Sequence, residues 1–257
     1  MRYWLVMPAA GAGRRFGAPL PKQYAPLEGR TVIEWALAPF LADGRCAAVV
    51  LALAADDAAG ARLATRGREG DAAGAGGGPA LSVVTGGEQR SHSVRRGLAA
   101  LEGRAAAGDW VLVHDAVRPC LEVQDLERLL AVLGTHPLGG LLAVPAADTL
   151  KRAQERQRGP AAAQAPVVSQ TVERSGLWRA LTPQMFRYGS LCAALDRAHA
   201  TGRSPTDEAQ ALEWVGERPL LVAGSATNLK ITTAPDLLLA AAVLQSRRCA
   251  SAAQDDS

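Results

Sequence analysis

Short, continuous apolar runs recur along the chain at Tyr3–Met7, Ala47–Leu53, Leu81–Val84, Trp110–Val113 and Leu141–Val144. Between them the apolar positions return at helical spacing, near Thr31–Leu41, Asp57–Arg66, Ser91–Leu101 and Val123–Leu133. An unbroken apolar run suits a strand buried on both faces, and such strands separated by amphipathic helices build a mostly parallel sheet. The pattern predicts an α/β fold, with ligands received outside the carboxyl ends of the strands. Two segments leave this rhythm. Gly70–Pro79, rich in Gly and Ala, has no apolar period and reads as a flexible surface loop. Asp148–Thr182 is polar, holds Pro160 and Pro166 and a strand-like patch at Val167-Val168, and reads as an excursion from the sheet. Beyond it the pattern predicts helices around Ser190–Ala200 and Asp207–Val215, a strand at Leu220–Ala223, a helix near Pro235–Gln245 and a frayed end over Ala250–Ser257.

Composition narrows the class. A chain of 257 residues, 48% of them hydrophobic, has ample material for a core. The net charge is +3 with both signs interspersed, so no basic block points to nucleic acid, and a phosphate-rich small ligand fits the excess equally well. Of 28 basic residues only Lys22, Lys151 and Lys230 are lysines, which draws the eye to places where a compact, mobile charge is kept. Cys46, Cys120, Cys192 and Cys249 are far apart and form no CxxC pair, against both a disulfide framework and a cysteine metal cluster. No charged leader precedes Tyr3–Met7 and no apolar run is long enough to cross a bilayer, so the expected setting is a reduced cytoplasm.

Four segments carry candidate chemistry. The first strand runs into Pro8-Ala9-Ala10-Gly11-Ala12-Gly13-Arg14-Arg15-Phe16-Gly17. Glycines there let backbone N–H groups approach phosphate oxygens, although an ordinary tight turn explains them equally well. The dinucleotide spacing fails, because Phe16 stands where the third glycine belongs, and no GxxxxGK[ST] loop occurs. His114-Asp115-Ala116-Val117-Arg118-Pro119 follows Trp110–Val113, so Asp115 sits at a strand end, where it either holds Mg²⁺ against a phosphate or caps the turn. Gly86-Gly87-Glu88-Gln89-Arg90-Ser91-His92-Ser93 opens a helix and offers either an anion or base-edge site or simple capping. Asn228-Leu229-Lys230-Ile231-Thr232 sets a rare lysine in an apolar alternation, facing solvent or a cleft. The four histidines show no ligand spacing and take structural roles.

In order, these segments resemble the 2-C-methyl-D-erythritol 4-phosphate cytidylyltransferases. The resemblance starts with the Pro8–Arg15 run and Pro21-Lys22-Gln23-Tyr24, then takes in the Gly86 and His114 segments, Asp148-Thr149 and Leu181-Thr182-Pro183-Gln184. It ends with Thr206-Asp207-Glu208-Ala209 and the Asn228 segment, so eight motifs cover nearly the whole chain. The resemblance implies a Rossmann-like, mostly parallel sheet flanked by helices, of the nucleotide-diphospho-sugar transferase type, with a protruding β-arm. A single domain over 1–249 would carry a dimerisation arm at about 148–182. It implies that Ala9, Ala10, Gly11 and Gly13 shape a CTP loop, and that Arg15, Lys22 and Lys230 surround the triphosphate as catalytic cations. Gly87, Glu88 and Ser93 would contact cytosine, and Asp115 would bind Mg²⁺ and lie with Ala116 near the ribose. Arg118, Thr149, Arg174 and Thr182 would serve the acceptor, with Thr149 and Arg174 reaching the site of the other subunit of a homodimer. Two longer stretches, Gly70–Pro79 and Glu155–Ala165, depart from the family pattern, as does Glu88 where an aspartate is common. The competing readings are a ribitol 5-phosphate cytidylyltransferase with the same CTP site, a sugar-1-phosphate nucleotidyltransferase, and a non-catalytic nucleotide-binding regulator. Thr149 and Arg174 speak against the first, the Asn228–Thr232 match against the second, and Arg15, Lys22, Asp115 and Lys230 together against the third.

Overall fold

A computed structural model describes residues 1–11, 20–60, 62–63, 78–154 and 165–255 of the chain. Its centre is a seven-stranded sheet of β1 (Tyr3–Pro8), β4 (Cys46–Leu53), β5 (Ala80–Thr85), β6 (Trp110–Val113), β7 (Gly139–Pro145), β10 (Trp178–Arg187) and β11 (Leu220–Ala223). In space the order is β11-β7-β10-β6-β1-β4-β5. β1 pairs in parallel with both β4 and β6, β4 with β5, and β7 with β11, whereas β10 runs antiparallel between β6 and β7. The apolar runs of the sequence thus become the strands they predict, each within a residue or two of its expected limits, and all are buried except the half-exposed edge strand β5. Short pairs make up the remaining sheet: β2 (Pro26–Leu27) with β3 (Arg30–Thr31), and β8 (Leu150–Gln154) with β9 (Val167–Val172).

Alternate residues of each strand feed opposite layers. Leu5 and Met7 of β1 pack with Ile33, Leu37 and Phe40 of α1 (Val32–Leu41) and with Leu126, Leu129 and Leu133 of α3 (Val123–Leu133). Val6, between them, faces Val94 and Leu98 of α2 (Arg90–Ala99) and Leu191 and Leu195 of α4 (Tyr188–Ala200). Full burial of such a side chain contributes about 1.5–3 kcal/mol. α5 (Glu208–Glu213) adds Ala211 and Leu212 to the second layer. The last helix, α6 (Ala234–Asp255), docks Ala240 and Leu244 against Val32, Val117 and Ile231. It runs beyond the predicted Pro235–Gln245 and through most of the expected frayed end.

β10 is the element the apolar pattern does not reveal. It corrects the arm boundary: Trp178–Thr182, expected in the excursion, belong to the central sheet, with Trp178 opposite Pro145 and Arg179 opposite Val144. Its pairing with β7 shifts between Ala180 and Gln184, where the Thr182–Pro183 peptide is cis. The arm proper is the β8–β9 hairpin, whose strands are exposed along nearly their whole length. The Asn228–Thr232 segment forms no strand; it is an extended connection pinned by Ile231 N–H to Val117 O at 2.9 Å. Of the predicted helix Asp57–Arg66, residues 58–60 and 62–63 are helical and 61 and 64–66 lie outside the described residues. Most of the Gly70–Pro79 and Glu155–Ala165 stretches lie outside them too. Among the described residues no helix is long and apolar enough to cross a membrane.

Candidate nucleotide site at the strand ends

The chain passes outward from β1 to β4 and β5, then returns to β6 on the other side of β1. That reversal opens a crevice at the carboxyl ends of β1 and β6, the place where ligands enter open α/β sheets. Backbone contacts draw three loops together there: Ala9 N–H donates to Ala52 O at 2.8 Å, Gly86 N–H to Leu53 O at 2.6 Å and His114 N–H to Val6 O at 3.1 Å. Gln23, buried in the turn after β1, donates to Ala9 O at 3.0 Å and holds the first loop from below. Gly86 is required by close approach, since a Cβ there would lie 2.5 Å from Ala10 Cβ. A Cβ on Gly87 would fall on His92 Cβ. Ser93, itself buried, accepts from Gly87 N–H at 3.1 Å and so fixes the peptide at the mouth of α2.

One cleft results. Ala9, Ala10 and Gly11 form one side, Gly87, Glu88 and Ser93 another, and Asp115, Ala116, Lys22 and Lys230 the floor and far wall. Ten of the residues that the sequence marks are thereby brought together. Gly13 and Arg15 lie outside the described residues. Lys230 resolves its alternative in favour of the cleft: its Nζ sits 2.9 Å from Asp115 Oδ2, with two-fifths of the side chain still exposed. Lys22 Nζ donates to Ile231 O at 3.0 Å, which ties the two lysines to the same rim.

Asp115 is the electrostatic centre. Arg90 Nε meets Oδ1 at 2.9 Å, and Arg118 Nε stands 3.6 Å from Oδ2, the oxygen that Lys230 also contacts. Burial works to raise the carboxyl's pKa, but Arg90, Lys230 and Arg118 hold it far below the usual range, so Asp115 is an anion at any working pH. Three cations against Asp115 and the Glu208 that also binds Arg90 leave one positive charge in excess, to which the nearby Lys22 adds a second, and this suits a phosphate-bearing ligand.

Two residues expected to touch the acceptor also make buried contacts within the chain. Thr182, only 4% exposed, lies beneath the cleft, where its Oγ1 accepts from Asp115 N–H at 3.0 Å and contacts His114 Nδ1 at 3.0 Å. Arg118 is buried as well, and donates to Asn228 O at 2.7 Å and Ala180 O at 3.5 Å. Neither forms part of the cleft wall, because the buried strand β10 delivers Thr182 from below and the Asn228 connection closes over Arg118. Thr149 and Arg174 are exposed at the foot of the arm, away from the cleft, with the Arg174 guanidinium donating to Ala147 O. His114 keeps its structural role. Its ring packs 5.1 Å from Phe40, and burial lowers its pKa to about 4. Neutral, with Nε2 3.2 Å from the Arg118 carbonyl, it carries its proton on Nε2 and accepts from Thr182 at Nδ1.

Sequence reasoning placed Arg90 only within the Gly86–Ser93 anion or base-edge segment and gave Glu208 no role of its own. Both lie in motifs that carry the resemblance, yet their meeting spans 118 positions and no local pattern announces it.

A glycine-walled, cation-rich cleft at the switch point of a Rossmann-like sheet is the arrangement of a nucleotide-binding α/β protein. Residues 3–246 match the family model for 2-C-methyl-D-erythritol 4-phosphate cytidylyltransferase. A relative of that name from Acidithiobacillus ferrooxidans is 49% identical over 247 residues, 96% of this chain and 98% of its own. Another from Pseudomonas aeruginosa is 49% identical and covers 92% of this chain and 93% of its own. A solved 4-diphosphocytidyl-2C-methyl-D-erythritol synthase matches with a TM-score of 0.76 at 36% identity, over 95% of this chain and 98% of that one. The cytidylyltransferase of Thermus thermophilus matches at 0.71 and 28% identity, over 95% and 100%. The chain belongs to the 2-C-methyl-D-erythritol 4-phosphate cytidylyltransferase family, a family of nucleotidyltransferases.

Proposed function

We propose that the chain transfers CMP from CTP to 2-C-methyl-D-erythritol 4-phosphate, releasing diphosphate, as a step towards isoprenoid precursors. The observation that carries this reading is the convergence of Lys22, Lys230, Asp115 and the Gly87–Glu88 wall on one cleft, in a chain of this family. An oxygen of the acceptor's phosphate attacks the α-phosphorus of CTP. The new P–O bond forms as the bond to the β-phosphate oxygen breaks, and the electron pair leaves with diphosphate. The attacking phosphate is already ionised at neutral pH, so no general base is needed. His114, the described histidine beneath the cleft, is buried, neutral and committed to Thr182 and Arg118.

What the reaction needs is alignment and neutralisation of charge spread over phosphoryl oxygens. Lys22 and Lys230 meet that need on the described rim, and Arg15 is the further cation for the triphosphate. Gly87, Glu88 and Ser93 shape the pocket for cytosine, and Ala116 lies beside the ribose. Asp115 fits Mg²⁺, which protein sites commonly hold through one or two carboxylates with substrate phosphates completing its shell. Among the described residues no cluster of three or more His, Cys, Asp or Glu side chains offers a metal cage, so the ion would rest on Asp115 and the nucleotide. Bound there, it would neutralise phosphate charge. Lys230, partly exposed, shares Asp115 Oδ2 and can leave it for a phosphate oxygen.

The acceptor lies towards Arg118, and in a homodimer Thr149 and Arg174 of the arm complete the partner's cleft. The exposed valines Val167 and Val168 on the β8–β9 hairpin support an arm that packs on a second copy. The cytoplasm is the setting of this proposal.

The test is diphosphate release from CTP and Mg²⁺, with methylerythritol phosphate and ribitol 5-phosphate offered in parallel. Release with the first alone is expected. Release with ribitol phosphate alone moves the chain's acceptor to the sister reaction, and silence with both makes it a regulator or a user of another nucleotide.

A further inference from the structure

Arg90 occupies a position that local rules disfavour. It opens α2, where a cation opposes the helix dipole, and its N-cap Gln89 makes no side-chain capping bond. A broken local rule at a functional cleft calls for a compensating contact. Arg90 finds two. Nε donates to Asp115 Oδ1 at 2.9 Å, while Nη1 and Nη2 grip the two oxygens of Glu208 at 2.7 and 3.0 Å. All three guanidinium nitrogens are engaged.

Glu208 is 1% exposed and forms no part of the cleft wall. It is the first residue of α5, and that helix end is tied to the central sheet. Gln184 of β10 donates from Nε2 to Asp207 Oδ2 at 3.0 Å and accepts from Ala209 N–H at 2.9 Å. Asp207 in turn caps the helix through Gln210 N–H at 2.9 Å. A rigid carboxylate thus orients a planar guanidinium, whose remaining edge holds one oxygen of Asp115. The other oxygen faces the partly exposed Lys230 at 2.9 Å, with Arg118 Nε behind it at 3.6 Å. A lysine at position 90 would keep the charge and lose the fork, since only a guanidinium can bind two carboxylates in one plane.

We infer that Arg90 and Glu208 are a positioning pair, which fixes the Asp115 carboxylate through Oδ1 so that Oδ2 is presented to the incoming nucleotide. This rests on the cytidylyltransferase reading and deepens it. Without Glu208, Arg90 keeps one of its three anchors and is free to cover both oxygens of Asp115. The nucleotide is then met by a misplaced carboxylate, an error that costs roughly 10- to 100-fold in rate.

The experiment compares the full-length protein with Glu208→Gln, Arg90→Lys and the control Asp196→Asn. The control breaks the Arg95–Asp196 ion pair, which joins α2 to α4 on the surface without reaching Asp115. For each, kcat and the acceptor KM are measured on protein shown to be folded by circular dichroism, and the CTP Kd by calorimetry. Glu208→Gln and Arg90→Lys should lower kcat at least tenfold, change the acceptor KM less than threefold, and weaken CTP at least threefold. Asp196→Asn should change none of these. A wild-type kcat and CTP Kd in folded Glu208→Gln would overturn the pair. If Glu208→Gln does not fold, Arg90→Lys, which keeps the buried charge, decides by the same readings. If the wild type is silent with both acceptors, the functional reading falls and the CTP Kd alone judges the pair.

Discussion

Replacing Thr182 with valine removes one oxygen and keeps the shape of the side chain, so it isolates what that oxygen does. In the folded chain it accepts from Asp115 N–H and donates to His114 Nδ1, both at 3.0 Å and both out of reach of water. The valine variant leaves a buried donor and a buried acceptor unsatisfied, each costing about 1–3 kcal/mol. Taken together the loss is about 2–6 kcal/mol. A domain of this size stands about 5–15 kcal/mol above its unfolded state, so all but the upper end of that range leaves the variant folded. Its Tm should fall by roughly 4–24 °C at about 2–4 °C per kcal/mol. The Asp115 peptide also loses its anchor to β10, and the carboxylate drifts with it. kcat should fall about tenfold or more while the acceptor KM changes little, and Thr182→Ser, which restores the oxygen, should recover most of both. Urea denaturation with steady-state kinetics checks the pair of effects. An unchanged denaturation midpoint with a large rise in acceptor KM would refute this reasoning and return Thr182 to the acceptor surface.

Other expectations follow from the same geometry. Lys230→Ala, at a partly exposed side chain, should leave the melting temperature within a few degrees and lower kcat about 10²–10³-fold, the scale of losing one charge-stabilising donor. Lys22→Ala should act in the same direction, and near-normal turnover in either variant removes that lysine from the reaction. Gly87→Ala forces the loop away from His92, and should weaken CTP binding in calorimetry well before it alters the circular dichroism spectrum. Asp43, in the turn between α1 and β4, accepts from Tyr3 Oη at 2.9 Å and from Arg45 Nε at 2.8 Å. Burial raises its carboxyl, but Arg45 and Tyr3 outweigh burial and leave the folded pKa lowered. The stabilisation is therefore present above the unfolded value of about 3.9 and is lost as pH falls through the folded one. Asp43→Asn should be less stable than the wild type at pH 7, with the gap closing below about pH 4.

The parallel strands were legible because burial on both faces leaves its mark in every residue of the run, as at Trp110–Val113, where the predicted and observed limits coincide. The helices between them were legible for the analogous reason, a one-sided apolar stripe. β10 left no such mark. Its core half, Leu181–Phe186, carries Thr182 and Gln184 among apolar residues, because those two side chains serve the interior by hydrogen bonding His114, Asp115 and the α5 terminus. Motif order identified most of the residues that line the cleft, since they lie in short segments with a fixed local spacing. What it left open were residues whose contacts are long-range. Thr182 and Arg118 resemble acceptor contacts in sequence and support the floor in space, and Arg90 meets Glu208 across 118 positions. The chain by itself determined the parallel strands, the helices between them and the segments that carry candidate chemistry, because those properties reside in neighbouring residues. Only the tertiary structure decided which polar side chains face the cleft and which lie beneath it, because that depends on which distant strand end arrives there.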